Sequence, residues 1–163
     1  MRWIPALFIL LLAFVSGLDI VINFKKLTQP RFVMLAWLYL VCLLAILFMP
    51  ISSDGVTVQI MPPGIGRVNL RQLQVNDLQF YENILMTVPL GVLIKKYLPK
   101  IPLTLVAILG IFFGTSFETI QYILSHVFFI NRTSDINDVL SNALGVVVGA
   151  VLMLIYRQIK KGE

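Results

Sequence analysis

Cysteine and histidine each occur once in this chain of 163 residues, as Cys42 and His126. A single cysteine cannot form a disulfide within the chain, and the spacings of cysteine and histidine that bind metal ions are missing. The sequence also lacks a nucleophile paired with a histidine, and it lacks the arginine and histidine set that lipid phosphatases use. We therefore expect no metal site and no cofactor.

Charged side chains are scarce as well, since they make up 13% of the chain while hydrophobic residues make up 58%. Soluble domains carry roughly 25% charged residues, so this composition predicts an all-α integral membrane protein in which lipid replaces much of a buried core. The net charge of +5 comes from basic residues that lie in short clusters beside apolar runs. That arrangement follows the positive-inside rule and does not indicate nucleic-acid binding.

Five apolar runs are long enough to cross a bilayer. They cover residues 3–24, 32–49, 80–98, 101–124 and 136–156, and they predict a five-helix transmembrane bundle that forms a single domain over residues 1–163. A cleaved signal peptide is the competing interpretation of the first run. We expect a retained helix, because the run is longer than a usual signal core and has no clear A-x-A cleavage site.

One long polar segment, residues 51–78, interrupts the apolar runs. Val56, Val58 and Ile60 alternate with polar residues, a turn follows at the two prolines, and a second extended piece is expected from Arg67. This pattern predicts a short β-hairpin or an ordered loop on the membrane surface.

The orientation follows from the basic residues. With five spans, nine of the thirteen basic residues fall on one side of the membrane, which is therefore cytoplasmic. The N-terminus and the loop of residues 51–78 are then outside, and the C-terminus is cytoplasmic.

Polar groups collect at the outer ends of the last three predicted helices. Glu82 and Asn83 begin the third, Asp135 and Asp138 begin the fifth, and Glu118 lies roughly 25 Å above the inner end of the fourth. Three helical stripes predict which faces pack together. These stripes are Asp135, Asp138, Asn142, Gly145 and Gly149; Gly110, Gly114, Glu118 and Gln121; and Asn83, Thr87 and Gly91.

From these stripes we predict a polar pocket in the outer leaflet. Its ligand-binding residues would be Asn83, Glu118, Gln121, Arg132, Asp135, Asp138 and Asn142, with Arg132 at the mouth; Glu118, Asp135 and Asp138 are also the catalytic candidates. Simpler roles compete with this one. Gly145 and Gly149 are expected to serve packing, Asn142 could simply bond another helix, and Asp135 or Asp138 would suit the N-cap of the fifth helix. A carboxylate within a span, such as Glu118, has to pair with Arg132, share a proton or take one up.

Three elements resemble the VanZ-like membrane protein family. They are Asn83 ahead of Pro89-x-Gly91, the Glu118-x-x-Gln121 pair, and the string from Arg132 through Asp135, Asp138 and Asn142 to Gly145. The resemblance covers residues 82–152. Leu90 stands where the family usually has Phe, and Phe117 stands where Ile is common. The resemblance implies a protein of the bacterial cell membrane, similar to an accessory protein associated with resistance to teicoplanin, a glycopeptide antibiotic with an acyl chain.

Several functions fit these residues. We expect a binding protein for an amphiphile, either a lipoglycopeptide or an envelope lipid, whose acyl chain lies against the helices. The second hypothesis is an intramembrane enzyme in which Glu118 and an aspartate act as acid and base on a lipid-linked envelope precursor. A transporter is a weaker fit, because five spans without an evident internal repeat are a poor basis for one. A purely structural partner is the fourth.

Overall fold

A computed structural model describes the backbone of residues 1–53 and 56–162. Five long helices dominate it: α1 Ile4–Ile22, α2 Pro30–Phe48, α3 Leu78–Tyr97, α4 Leu103–Phe128 and α5 Ile136–Gly162. A short 3-10 helix, Phe24–Lys26, follows α1. The strands are also short: β1 Ile51–Ser53, β2 Val58–Ile60, β3 Val68–Asn69 and β4 Ser134–Asp135.

Among the described residues, the four helices α1, α2, α4 and α5 are long and apolar enough to cross a membrane. They confirm the mostly helical, multi-pass character that the composition predicts. The run predicted at residues 80–98 does form a helix, α3, but α3 carries Glu82, Lys95 and Lys96 and is not one of those four. The chain thus has four helices of spanning character and a fifth, less apolar one.

The contacts of the chain divide it into two compact units. The first unit contains residues Met1–Arg67 and Gln121–Arg132, and the second contains Val68–Ile120 and Thr133–Glu163. Helix α4 therefore contributes its first part to the second unit and its last part to the first unit. The single domain over residues 1–163 stays a prediction.

In the first unit, α1 and α2 pack through Gly17, because a Cβ at Gly17 would lie 2.9 Å from Cζ2 of Trp37. Strands β1 and β2 pair antiparallel, with Ile51 opposite Ile60. The long loop thus contains a short hairpin, as expected, in which β2 pairs with the preceding strand and not with the piece expected from Arg67. The pairing continues one residue past Ile60, where the N–H of Met61 donates to the carbonyl of Pro50 at 2.9 Å, and Pro62 and Pro63 then lack the N–H groups to extend it.

In the second unit, α3 and α5 run parallel with their backbones in direct contact. A Cβ at Gly91 would overlap the carbonyl of Val146, and a Cβ at Gly149 would overlap the carbonyl of Val88. Helix α4 packs antiparallel to α5, where a Cβ at Gly114 would lie 2.7 Å from the carbonyl oxygen of Val139. The predicted small-residue stripes are confirmed as packing surfaces, and around them lies a core of Val106, Val146 and Ala150.

Strand β3 pairs parallel with β4, so that Val68 lies opposite Ser134 and Asn69 opposite Asp135. The sequence suggested an extended piece from Arg67 but gave no sign of this partner. Through this pairing, the end of the long loop is hydrogen-bonded to the residues that lead into α5.

Candidate functional site

The site of the second unit centres on a bond between α4 and the start of α5. Glu118, on α4, is 7% exposed, and its Oε2 accepts the backbone N–H of Asp135 at 2.7 Å. The backbone carbonyl of Glu118 accepts the hydroxyl of Ser134 at 3.1 Å. Glu118 thus uses both its carboxylate and its backbone to hold the residues before α5.

Asp135 directly precedes α5 and caps it. Its Oδ1 accepts the backbone N–H of Asn137 at 2.8 Å, as an N-cap side chain does. The amide of Asn137 donates to the same oxygen at 2.7 Å, and the amide of Asn69 donates to both carboxylate oxygens at 3.0 and 3.1 Å. The expected capping role is confirmed for Asp135. With these donors in place, its carboxylate is well supplied with hydrogen bonds from the protein itself.

Asn69 and Asn137 were not predicted as site residues. Asn137 is 6% exposed and fastens the loop to α5, because its Nδ2 donates to the carbonyl of Gln72 and its Oδ1 accepts the N–H of Gln74, both at 2.8 Å. The sequence signal was weak: an asparagine next to an aspartate at a helix start often bonds to nearby backbone. Its partners lie more than sixty residues away, which no local pattern shows.

Asp138 and Asn142 lie one turn apart on the face of α5 that meets α3. Oδ2 of Asp138, a residue that is 7% exposed, accepts the amide of Gln79 at 2.9 Å. Asn142 is 1% exposed, and its backbone carbonyl oxygen lies 3.0 Å from the hydroxyl of Thr87, which can donate to it or to the backbone carbonyl of Asn83 at 2.8 Å. Within the described residues, neither the oxygen nor the nitrogen of the Asn142 side chain has a hydrogen-bond partner. A buried amide in that state costs about 1–3 kcal/mol of folding free energy.

Asn83 belongs to the same contact between α3 and α5. It follows Gln79 by four residues and precedes Thr87 by four, so the three share one face of α3. Because Gln79 bonds to Asp138 and Thr87 to Asn142, this face lies against the polar stripe of α5. Asn83 is half-buried there. The structure therefore brings together five predicted residues in the second unit: Asn83, Glu118, Asp135, Asp138 and Asn142.

The remaining two predicted residues belong to the first unit. Gln121 is 2% exposed and donates from Nε2 to the carbonyl of Leu47 at 3.0 Å. Arg132 donates from one guanidinium nitrogen to the carbonyl of Ile51 at 2.8 Å, and its backbone N–H donates to the hydroxyl of Ser125 at 2.9 Å. That these two line one pocket together with the acids stays a prediction.

A match to a protein-family model, described as VanZ/LLP1, covers residues 36–157. That is about three quarters of the sequence and includes every candidate residue. The chain belongs to the VanZ/LLP1 family. The family region begins within α2 and includes the long loop, so it extends beyond the residues 82–152 that carry the resemblance. Neither curated proteins nor solved structures gave a match.

Two residues of this VanZ/LLP1 chain, His126 and Cys42, have side chains that can bind metals or act as nucleophiles, and both have ordinary structural surroundings. His126 stacks on Tyr122, with ring centroids 4.1 Å apart, and its Nδ1 lies 2.8 Å from the carbonyl of that residue. Cys42 is exposed on α2. In the described part of the chain, no group of three or more histidine, cysteine, aspartate or glutamate side chains could hold a metal ion.

The arrangement of the second unit separates two kinds of polar residue. Glu118 and Asp135 bond to the backbone around the start of α5 and hold it in place. Asn142 offers a buried donor and a buried acceptor, and Asp138 lies one turn away. In this VanZ/LLP1 chain, a ligand with both hydrogen-bond donors and acceptors would gain most from bonds to Asn142. Such bonds would remove the free-energy cost of its unpaired amide.

Proposed function

We propose that this protein binds the polar head group of an amphiphile at the contact between α3 and α5, in the outer leaflet of the bacterial cell membrane. The observation that supports the proposal most is the side-chain amide of Asn142 on α5, which is buried and has no hydrogen-bond partner among the described residues. Folding alone would favour an apolar side chain at such a position. A polar residue kept at this cost marks a candidate binding site.

The proposal includes α3 as a fifth crossing. Contacts between α3 and α5 begin with Gln79 and Asp138, and they reach the other end where Arg157 donates to the carbonyl of Lys96 at 3.1 Å. Because α3 lies alongside α5 over that length, a membrane that α5 crosses would also be crossed by α3. The tight glycine contacts at Gly91 and Gly149 are of the kind that membrane helices use to associate.

The orientation we propose places the site on the outer side. The starts of α3 and α5 lie at the same end, and the nine basic residues of the predicted cytoplasmic side include Lys95, Lys96, Arg157, Lys160 and Lys161 at the other end of those two helices. The positive-inside rule then puts the N-terminus outside and the C-terminus in the cytoplasm.

The ligand class we propose is a lipoglycopeptide such as teicoplanin, or an envelope lipid with amide and hydroxyl groups. Its head group would bond to Asn142, Asp138 and Asn83, while its acyl chain lies against the apolar helices. Arg132, in the first unit, is proposed separately as a binding residue for an anionic group, since a guanidinium suits carboxylate and phosphate. Binding of this kind would contribute to glycopeptide antibiotic resistance.

The test is an incubation of the purified full-length protein with teicoplanin or with total envelope lipids, followed by native mass spectrometry. We expect an adduct of teicoplanin, or of a lipid with amide groups in its head group, with wild type and none with Asn142→Leu. Asn76→Leu is the matched control, because Asn76 is exposed in the loop and its removal should leave the adduct unchanged. Equal adducts in wild type and Asn142→Leu would contradict the proposed site.

The alternative function is acid–base catalysis by Glu118 on a lipid-linked precursor. It is suggested by a carboxylate that is 7% exposed within a helix of spanning character. The same incubation distinguishes the two functions. A new lipid species that appears with wild type and disappears with Glu118→Gln would establish catalysis in place of simple binding.

A further inference from the structure

A second, apolar feature lies in the first unit, between α1 and α2. Gly17 lets the Trp37 ring approach α1, and the indole Nε1 donates to the hydroxyl of Ser16 at 3.0 Å, which fixes the ring. Beside this ring is an open groove with a volume of about 260 Å³. Its lining is apolar and includes Ala13, Phe14, Leu18, Val21, Met34 and Trp37.

The size and lining of this groove limit what can occupy it. Pockets that enclose a complete small ligand measure about 300–1,000 Å³ and carry a few polar groups that orient the ligand. The groove is smaller than that range and its lining side chains are apolar. It therefore suits a section of an alkyl chain, with the polar part of the molecule outside.

Cationic side chains lie at one end of the groove. Arg31 precedes Met34 by three residues on α2, so the two share one side of that helix. Lys25 and Lys26 follow Val21 by four and five residues, in the 3-10 helix after α1. All three cationic residues are exposed.

One acid lies nearby, and it is engaged by its neighbours. Asp19 accepts the amide of Asn23 at 2.9 Å, and Asn23 in turn accepts the ammonium group of Lys26 at 3.3 Å. Even when Asp19 is counted, three cationic groups face one acid, so this end of the groove complements an anion.

We propose that this groove binds one acyl chain of an anionic phospholipid, whose phosphate lies against Lys25 and Arg31. The apolar lining accounts for the chain, and the cations account for the charge of the head group. Each exposed cation near a bilayer raises the binding constant for an anionic lipid about fivefold relative to a neutral one. This proposal is independent of the head-group site in the second unit.

The experiment is a titration of the full-length protein in detergent with phosphatidylglycerol or phosphatidylcholine of identical acyl chains, read by native mass spectrometry. Wild type should bind phosphatidylglycerol more tightly by about fivefold or more. The double variant Lys25→Gln/Arg31→Gln should lose that preference while still binding phosphatidylcholine. Ala13→Phe fills the groove and should weaken binding of both lipids, whereas Leu10→Phe, on an exposed position outside the groove lining, should not.

Equal binding of the two lipids by wild type would overturn the proposal. So would unchanged phosphatidylglycerol binding by Ala13→Phe, since the lipid would then be bound elsewhere. The surface variant Lys25→Gln/Arg31→Gln keeps the test decisive if Ala13→Phe does not fold.

Discussion

The backbone N–H of Asp135 donates to the Glu118 carboxylate at 2.7 Å, and this bond joins α4 to the residue that caps α5. The capped helix in turn carries Asp138 and Asn142 along its face toward α3. Glu118 therefore positions the start of the helix that supplies the proposed ligand contacts. The first two predictions below follow from these contacts.

Replacing Glu118 by glutamine should lower the free energy of unfolding by about 1 kcal/mol, the typical net value of one hydrogen bond, because an amide then replaces the carboxyl group that accepts the N–H of Asp135. Thermal unfolding in detergent micelles would measure the change. Glu82→Gln is the matched control: Glu82 is exposed at the start of α3, so its replacement should leave the unfolding temperature unchanged. Equal effects of the two substitutions would contradict the positioning role of Glu118.

Replacing Asn142 by leucine should raise the free energy of unfolding by about 1 kcal/mol and should abolish ligand binding, because it removes an unpaired buried amide. Thr87→Val should do the opposite to stability, lowering it by about 0.6–1.7 kcal/mol through loss of the bond to the Asn142 carbonyl. Denaturant unfolding of both variants compares these effects. An Asn142→Leu protein that is less stable than wild type would show that the amide serves folding.

Replacing Gly149 by alanine should destabilise the protein by about 1–3 kcal/mol, since the added methyl group would overlap the carbonyl of Val88 and separate α3 from α5. Gly162→Ala, near the end of the same helix, is the control, because a Cβ there would meet no atom within 4 Å. Unfolding in detergent should show a loss for the first variant and none for the second. A Gly149→Ala protein as stable as wild type would mean that the helices can separate without cost.

Cysteine labelling should show that α3 crosses the membrane. In a background with Cys42→Ser, Val56→Cys should react with an impermeant thiol reagent applied from outside, because Val56 is 92% exposed and belongs to the loop that we propose lies outside. Lys100→Cys should react only after the cells are opened. Since α3 is the one long helix between these two positions, reaction of both from outside would show that α3 does not cross.

Replacing Arg132 by lysine should weaken binding of an anionic amphiphile by about tenfold or more, the effect of losing one charge-assisted hydrogen bond. An ammonium group cannot reproduce the planar, paired contact of a guanidinium. Titration followed by native mass spectrometry would measure it, with Arg71→Lys in the exposed part of the loop as the control. Equal affinities of wild type and Arg132→Lys would exclude Arg132 as a binding residue.

The sequence by itself determined the helices and the faces on which they pack. The apolar runs predicted all five helices to within a few residues, except that α4 and α5 extend several residues further at their C-terminal ends. The rows that contain Gly91, Gly114 and Gly149 predicted the packing surfaces of α3, α4 and α5. These features depend on spacing along one helix, and helical periodicity makes such spacing readable from the chain alone.

The tertiary structure alone decided which polar groups bond to one another. It paired β3 with β4, and it bonded the amides of Asn69 and Asn137 to the carboxylate of Asp135. It also left the Asn142 amide without a partner in the described residues. Asn69 and Asp135 are 66 positions apart in the chain. The physical reason is that a hydrogen bond depends on the positions of two particular atoms within about 3 Å, and those positions exist only once the helices have packed.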